Sequence, residues 1–288
     1  MTRSHSNQKT VWEADTASVG PVKVFRPLPN SLVKSIGPFV MLDHFGPMPA
    51  PSEKLPAHPH AGIEVMTYLM EGANEHTDSL GNIGRIGPGG TQWMRSGRGI
   101  LHTERNLTDL APTFHGLQIW ARLPIAEQDS EPDYRAIQAD EQPVWRRDGS
   151  NFRLLAGEFE DRVGPIPLAI PSIMCHLTLD ANSTLDIALP TRGYEYGIYV
   201  IDATNGIVLD DNQAMARGTM ASLPPDTTSI RLACCGAGVA NVFLLGGQAA
   251  PQPLHFGGPF VLDSQEALTK AQRRYLSGAM GTLDGVPF

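Results

Sequence analysis

Residues 58–105 read HPHAGIEVMTYLMEGANEHTDSLGNIGRIGPGGTQWMRSGRGILHTER, and this stretch decides the fold. Short strand-like segments at 64–70, 75–80, 83–86, 91–94 and 100–105 alternate with Glu71-Gly72, Gly81-Asn82, Gly87-Pro88-Gly89-Gly90 and the glycine-bearing loop 95–99. Runs of this length between such breakers read as antiparallel strands joined by tight reversals. Their regular recurrence predicts a barrel or sandwich.

The same pattern extends outward. A further strand is predicted at 116–123, and others at 153–155, 172–179, 194–201, 229–233 and 239–245. Between Pro124 and Pro143 apolar content falls while Glu127, Asp129, Glu131, Asp133, Asp140 and Glu141 accumulate, which reads as a linker. Residues 1–10 are polar and read as a disordered tail. The clearest helix follows Ser264, a capping residue, and spans 266–276, with Ala267, Leu268, Ala271 and Tyr275 on one face. The division expected is a first barrel at 11–124, a linker at 125–143 and a second barrel at 144–288 ending in the helix. Gly37-Pro38-Phe39-Val40-Met41-Leu42-Asp43 echoes Gly258-Pro259-Phe260-Val261-Leu262-Asp263, a hint of duplication.

Bulk properties exclude several classes. The 288-residue chain has a net charge of −8 and no basic block, so direct nucleic-acid binding is not expected. No apolar run approaches a membrane span. Cys175, Cys234 and Cys235 are odd in number and two are adjacent, which is no disulfide framework and fits a reducing compartment. The start has no apolar core of a secretory signal, so a cytoplasmic location is expected. No phosphate-binding glycine loop, nucleophile elbow or His-Glu-x-x-His motif occurs.

The chemistry lies in the histidines. Of nine, six fall between His44 and His115. His58-Pro59-His60 and His102-Thr103-Glu104 each place two donors at i and i+2, which project to the same side of an extended chain roughly 6.5–7 Å apart. Two such pairs on neighbouring strands can converge on one divalent transition metal. Desolvating three imidazoles and a carboxylate in a barrel interior needs a compensating partner. His5, His176 and His255 read as surface or satisfied core, and His76 as hairpin surface. Glu64, four residues after His60, is the competing carboxylate.

His58-x-His60 with Glu64 resembles the first cupin motif, and the later segment from Pro88 to His102 loosely resembles the second. The fuller resemblance is to the pirin family. It is carried by His58-Pro59-His60-Ala61-Gly62-Ile63-Glu64, Thr67-Tyr68-Leu69, His76, Asp78-Ser79, Gln92-Trp93-Met94, Gly97-Arg98-Gly99-Ile100, His102, Glu104 and Gly116-Leu117-Gln118-Ile119-Trp120. It covers roughly residues 20–276. The resemblance implies an all-β bicupin, two stacked antiparallel cupin-type β-barrels with a short C-terminal helix and metal in the first barrel only. It implies His58, His60, His102 and Glu104 as ligands, with iron(II) the expected ion and zinc, manganese, cobalt, nickel or copper compatible with the mixed nitrogen and oxygen set. Asp43, His115 and Gln118 match positions near the metal pocket, for substrate contact or ligand orientation. Position 61 is Ala where many pirins carry Arg.

Two functions follow from the resemblance. One is a quercetin 2,3-dioxygenase-like oxidoreductase in which Glu104 is the general base and the partners are dioxygen and a small flavonol-like or other enolic or phenolic aromatic substrate. The other is a non-enzymatic, redox-responsive regulator whose partner is a protein, either a transcription factor or a metabolic enzyme. Trp93, Met94 and Ile63 are candidate pocket walls, with core packing the alternative. A monomer is expected.

Overall fold

The computed structural model describes residues 9–20 and 22–283, and the expected tail lies outside them except for Lys9 and Thr10. Among the described residues nearly all regular structure is β-strand, with one α-helix, Gln265–Leu276. Two compact units divide the chain. One comprises residues 17–24, 40–139 and 250–288, and the other residues 1–16, 25–39 and 140–249.

The unit built around residues 40–139 carries the histidine-rich stretch. The strand Ile63–Glu71 lies between Thr91–Arg95 and Thr113–Arg122 in a seven-stranded sheet, which continues through Phe39–Pro49, Val22–Leu28 and Asp15–Val19. A four-stranded sheet has the order His58–His60, Ile100–Asn106, Asn74–Asp78, Ile83–Ile86. Alternation fixes what faces the interior. Ile63 and Val65 project inward and pack with Val40, Met94, Ile100 and Val261. Ile63 and Met94 are therefore core residues.

The acidic stretch expected to be a linker is structured. Asp133–Ile137 is an edge strand paired with Thr91–Arg95, Ile137 opposite Thr91 and Asp133 opposite Arg95. Its exposed positions carry the charges, as edge strands often do to block further pairing, and its alternate positions are covered.

The other unit has a seven-stranded sheet in the order Thr10–Glu13, Thr219–Ser222, Tyr194–Ala203, Ala240–Gln248, Ser172–Leu179, Ser150–Ala156, Val144–Arg147. A four-stranded sheet in the same unit runs Thr184–Ala188, Ser229–Cys234, Ile207–Leu209, Gln213–Met215. Its interior is a continuous apolar cluster including Phe152, Leu177, Ile198, Val242 and Leu244. Cys175 is buried there, and burial drives its thiol pKa far up, leaving it an inert packing group.

The units are not linear halves, which is where the structure departs most from the expected boundaries. Thr10–Glu13 pairs with Thr219–Ser222, so the beginning of the chain completes the later barrel. Conversely, Phe260, Leu262, Leu268, Ala271, Met280 and Leu283 pack on Ala61 and Leu101 of the earlier barrel. The two echoed Gly-Pro-Phe segments take part in this exchange. Gly37 donates its N–H to Glu195, while Val261 N–H donates to Ala61 O. The helix Gln265–Leu276 begins as its sequence predicts, with the Ser264 hydroxyl accepting from Ala267 N–H.

Candidate metal centre

Pro59 sits on the edge strand His58–His60, where its missing N–H costs no ladder bond. That strand runs antiparallel to Ile100–Asn106, with His58 opposite His102 and His60 opposite Ile100. Residues opposite one another in a ladder share a face. The His-x-His spacing thus brings both imidazoles to the side where His102 and Glu104 project. Ring donor atoms of His58, His60 and His102 lie within 4.8 Å of one another. His58 Nε2 and His102 Nε2 are 2.9 Å apart.

The outer nitrogens explain why this trio is suited to a cation. His58 Nδ1 is 2.9 Å from Pro56 O, and His60 Nδ1 is 3.1 Å from Pro259 O. A carbonyl only accepts, so each Nδ1 carries a proton, and in the neutral form of either ring the Nε2 lone pair is turned inward. Lone pairs crowded together repel unless a cation lies among them, and an imidazole whose other nitrogen donates to a carbonyl is the usual state of a metal ligand. Burial, with the neighbouring His58 second, lowers the His60 pKa to about 3. Burial, followed by His58, His60 and His76, holds His102 well below its usual value. Both rings are therefore neutral at neutral pH, as metal binding requires.

Glu104 stands outside the trio. It occupies the next position on the same face as His102, and its Oε1 accepts from the Thr67 hydroxyl at 3.2 Å. Glu64 is placed differently. Three residues before Thr67 on the same strand, it projects to the opposite face. It is 1% exposed and accepts from Trp93 Nε1 at 2.9 Å. Trp93, opposite Met66, shares that face and lines no cavity at the site.

A cavity of about 260 Å³ opens at Glu104. Val22, Val24, Phe45, Leu55 and Phe114 wall it, and Phe45 and Phe114 stack at 4.2 Å. Asp43, Thr67 and Gln118 add polar groups. Two of the three further residues expected near the pocket, Asp43 and Gln118, are thus at this cavity. His115 is not, and its Nε2 lies 3.0 Å from Nε2 of His44.

His76 corrects the expectation of a surface hairpin residue. It is 1% exposed and sits opposite Glu104 on the face that carries the imidazoles. Its ring is stacked on Tyr134 at 3.9 Å with 5° between the planes. Asn74, His76 and Asp78 alternate through this strand as polar buried residues, opposite Asn106, Glu104 and His102. That i, i+2, i+4 pattern is the same signal that singled out the other two pairs.

Comparison with known proteins gives two family matches. The model described as Pirin matches residues 21–121, and that described as Pirin C-terminal cupin domain matches residues 174–281. A pirin-like protein of Caulobacter vibrioides is 32% identical over 279 residues, 91% of this chain and 94% of its own. The human protein named Pirin is 29% identical over 251 residues, 86% of this chain and 84% of its own. The crystal structure of quercetin 2,3-dioxygenase from Acinetobacter baumannii has a TM-score of 0.89 at 25% identity, covering 99% of this chain and 95% of its own.

Proposed function

Because the chain belongs to the pirin family, with a cupin domain in each half, we propose that it is a metal-dependent dioxygenase acting on a flavonol-like or other enolic or phenolic substrate. The observation that carries this reading is the convergence of ring nitrogens of His58, His60 and His102 within 4.8 Å of one another, with Glu104 opening from the same face onto a largely apolar cavity. In this reading His58, His60 and His102 hold one divalent ion, and Glu104 is its fourth ligand. The similarity to a quercetin 2,3-dioxygenase structure supports the substrate class.

Three neutral imidazoles and one carboxylate would leave a divalent ion with a net charge of about +1 and, in octahedral geometry, about two open positions. When bound, the ion supplies a Lewis acid that lowers the pKa of a coordinated substrate hydroxyl. The remaining work falls to side chains. Glu104, steadied by Thr67, accepts the hydroxyl proton as general base. Asp43 and Gln118 offer polar contacts to substrate hydroxyls, and the Phe45–Phe114 stack provides a flat wall for an aromatic ring. The cavity volume lies just below the roughly 300–1,000 Å³ typical of small-molecule sites, which limits the substrate to one compact molecule.

Elemental analysis of purified protein, followed by oxygen uptake with iron-loaded protein and quercetin, tests the proposal. Wild type should consume dioxygen only with substrate, and His60→Ala should lose metal and activity together. Bound metal without oxygen uptake across a panel of flavonols would refute the oxygenase reading and favour a regulatory one.

A further inference from the structure

The nitrogen of His102 that faces away from the metal trio is not directed at a carbonyl, unlike those of His58 and His60. His102 Nδ1 lies 3.4 Å from His76 Nδ1, and His76 Nε2 lies 3.1 Å from Asp78 Oδ2. Asp78 also accepts from the backbone N–H groups of Leu80 and Asn82 and from the Asn82 amide. Burial alone would raise the Asp78 pKa, but the bonds from His76 and Asn82 outweigh it and hold the group below its usual value.

A chain of protons follows from donor and acceptor rules. The Asp78 carboxylate only accepts, so His76 must carry its proton on Nε2. A neutral His76 then presents a bare Nδ1 to His102. His102 can meet that lone pair only with an Nδ1 proton, which leaves its own Nε2 bare and turned toward His58 and His60. We propose that His76 and Asp78 form a positioning relay that holds His102 in the tautomer whose Nε2 is free to bind metal. The relay rests on the metal reading given above and assigns to His76 and Asp78 a role separate from that of the ligands.

The surroundings keep the relay in place. Tyr134 stacks flat on the His76 ring, so the imidazole is held at a fixed tilt. Residue 84, opposite His76 in the neighbouring strand, is glycine, and a Cβ there would collide with the Tyr134 hydroxyl oxygen. Gly84 therefore makes the room that the stack occupies. Asp78 is opposite His102 in the ladder, so the carboxylate, the bridging imidazole and the ligand are fixed by one register. Groups that orient a ligand imidazole typically contribute about 10–100-fold to metal affinity.

The test uses zinc, which is diamagnetic and needs no turnover. Heteronuclear NMR of the imidazole nitrogens in zinc-loaded wild type should find His76 protonated at Nε2 and bare at Nδ1, and the opposite tautomer would overturn the relay. Chelator competition should find zinc binding weakened about 10–100-fold in His76→Phe, which keeps a ring against Tyr134 but offers no acceptor. His76→Gln, whose amide oxygen can accept from His102 Nδ1, should recover most of that loss. His76→Phe binding zinc like wild type would overturn the relay and leave the metal site standing. Wild type that binds no zinc would overturn both. If His76→Phe does not fold, the wild-type tautomer still decides.

Discussion

Exchanging the two candidate carboxylates for their amides separates the ligand from the structural group. Glu64 and Trp93 are both buried, and the indole donates to the carboxylate at 2.9 Å. A hydrogen bond to a charged group is worth about 1.5–3 kcal/mol, and a buried acceptor that loses its donor costs a similar amount. Trp93→Phe should therefore lower unfolding free energy by about 2–3 kcal/mol in urea titration, and Glu64→Gln should cost less, because its amide oxygen can still accept from the indole. Both should keep their metal content. Glu104→Gln should do the reverse. Its amide oxygen can still accept from Thr67, so stability should change by less than about 1 kcal/mol. Loss of the anionic donor should nevertheless weaken metal binding and reduce turnover further. The assays are urea unfolding of metal-free protein and elemental analysis after equilibrium dialysis against the metal. A Glu64→Gln variant that loses its metal, beside a Glu104→Gln variant that keeps it, would refute the assignment.

Three other outcomes are expected. Phe260→Ala removes a buried ring packed against Ala61 and Leu101, next to the Pro259 carbonyl that orients His60. It should cost about 3–5 kcal/mol and weaken metal binding with it, as urea unfolding and chelator competition would measure, and full affinity in the destabilised variant would count against Pro259 orienting His60. The Arg105 hydrogen bond, followed by that of Arg85, lowers the Glu75 pKa, so the folded state binds fewer protons than the unfolded one near pH 4. The stability this gives is present above the ordinary carboxylate pKa and is lost as pH falls through the lower folded value. Glu75→Gln should flatten that acid limb in pH-dependent urea unfolding. Anomalous scattering from metal-soaked crystals should place one ion at the His58, His60 and His102 trio, and a second peak beside His176 or His255 would contradict the single-site reading.

Much of this was legible in the sequence because alternation is local. The strands from Ile63 to Asn106 and the paired donors at 58/60 and 102/104 follow from period-two spacing and glycine breakers alone. What escaped depends on register. The i, i+2, i+4 spacing of Asn74, His76 and Asp78 puts them on one face, but pairing with Ile100–Asn106 decides that this face is the inner one. Read alone, His76 beside Glu75 and before a turn looks like surface. The acidic charges at 125–143 masked an edge strand whose covered residues, Tyr134, Ala136 and Ile137, carry its real signal. The exchange of chain ends is a contact between segments distant in sequence, and composition contains no trace of it.

That exchange sets a schedule for biosynthesis. The carbonyl that holds the His60 proton belongs to Pro259, which lies 199 residues further along the chain. At about 5–20 residues per second, a ribosome needs roughly 10–40 s to travel that distance. From the synthesis of His102 onward all three imidazoles are present while the segment that orients His60 is not. The full set of oriented imidazoles is thus available only once translation has passed Pro259, and on the metal reading a nascent chain stalled before it would offer ions an unfinished site.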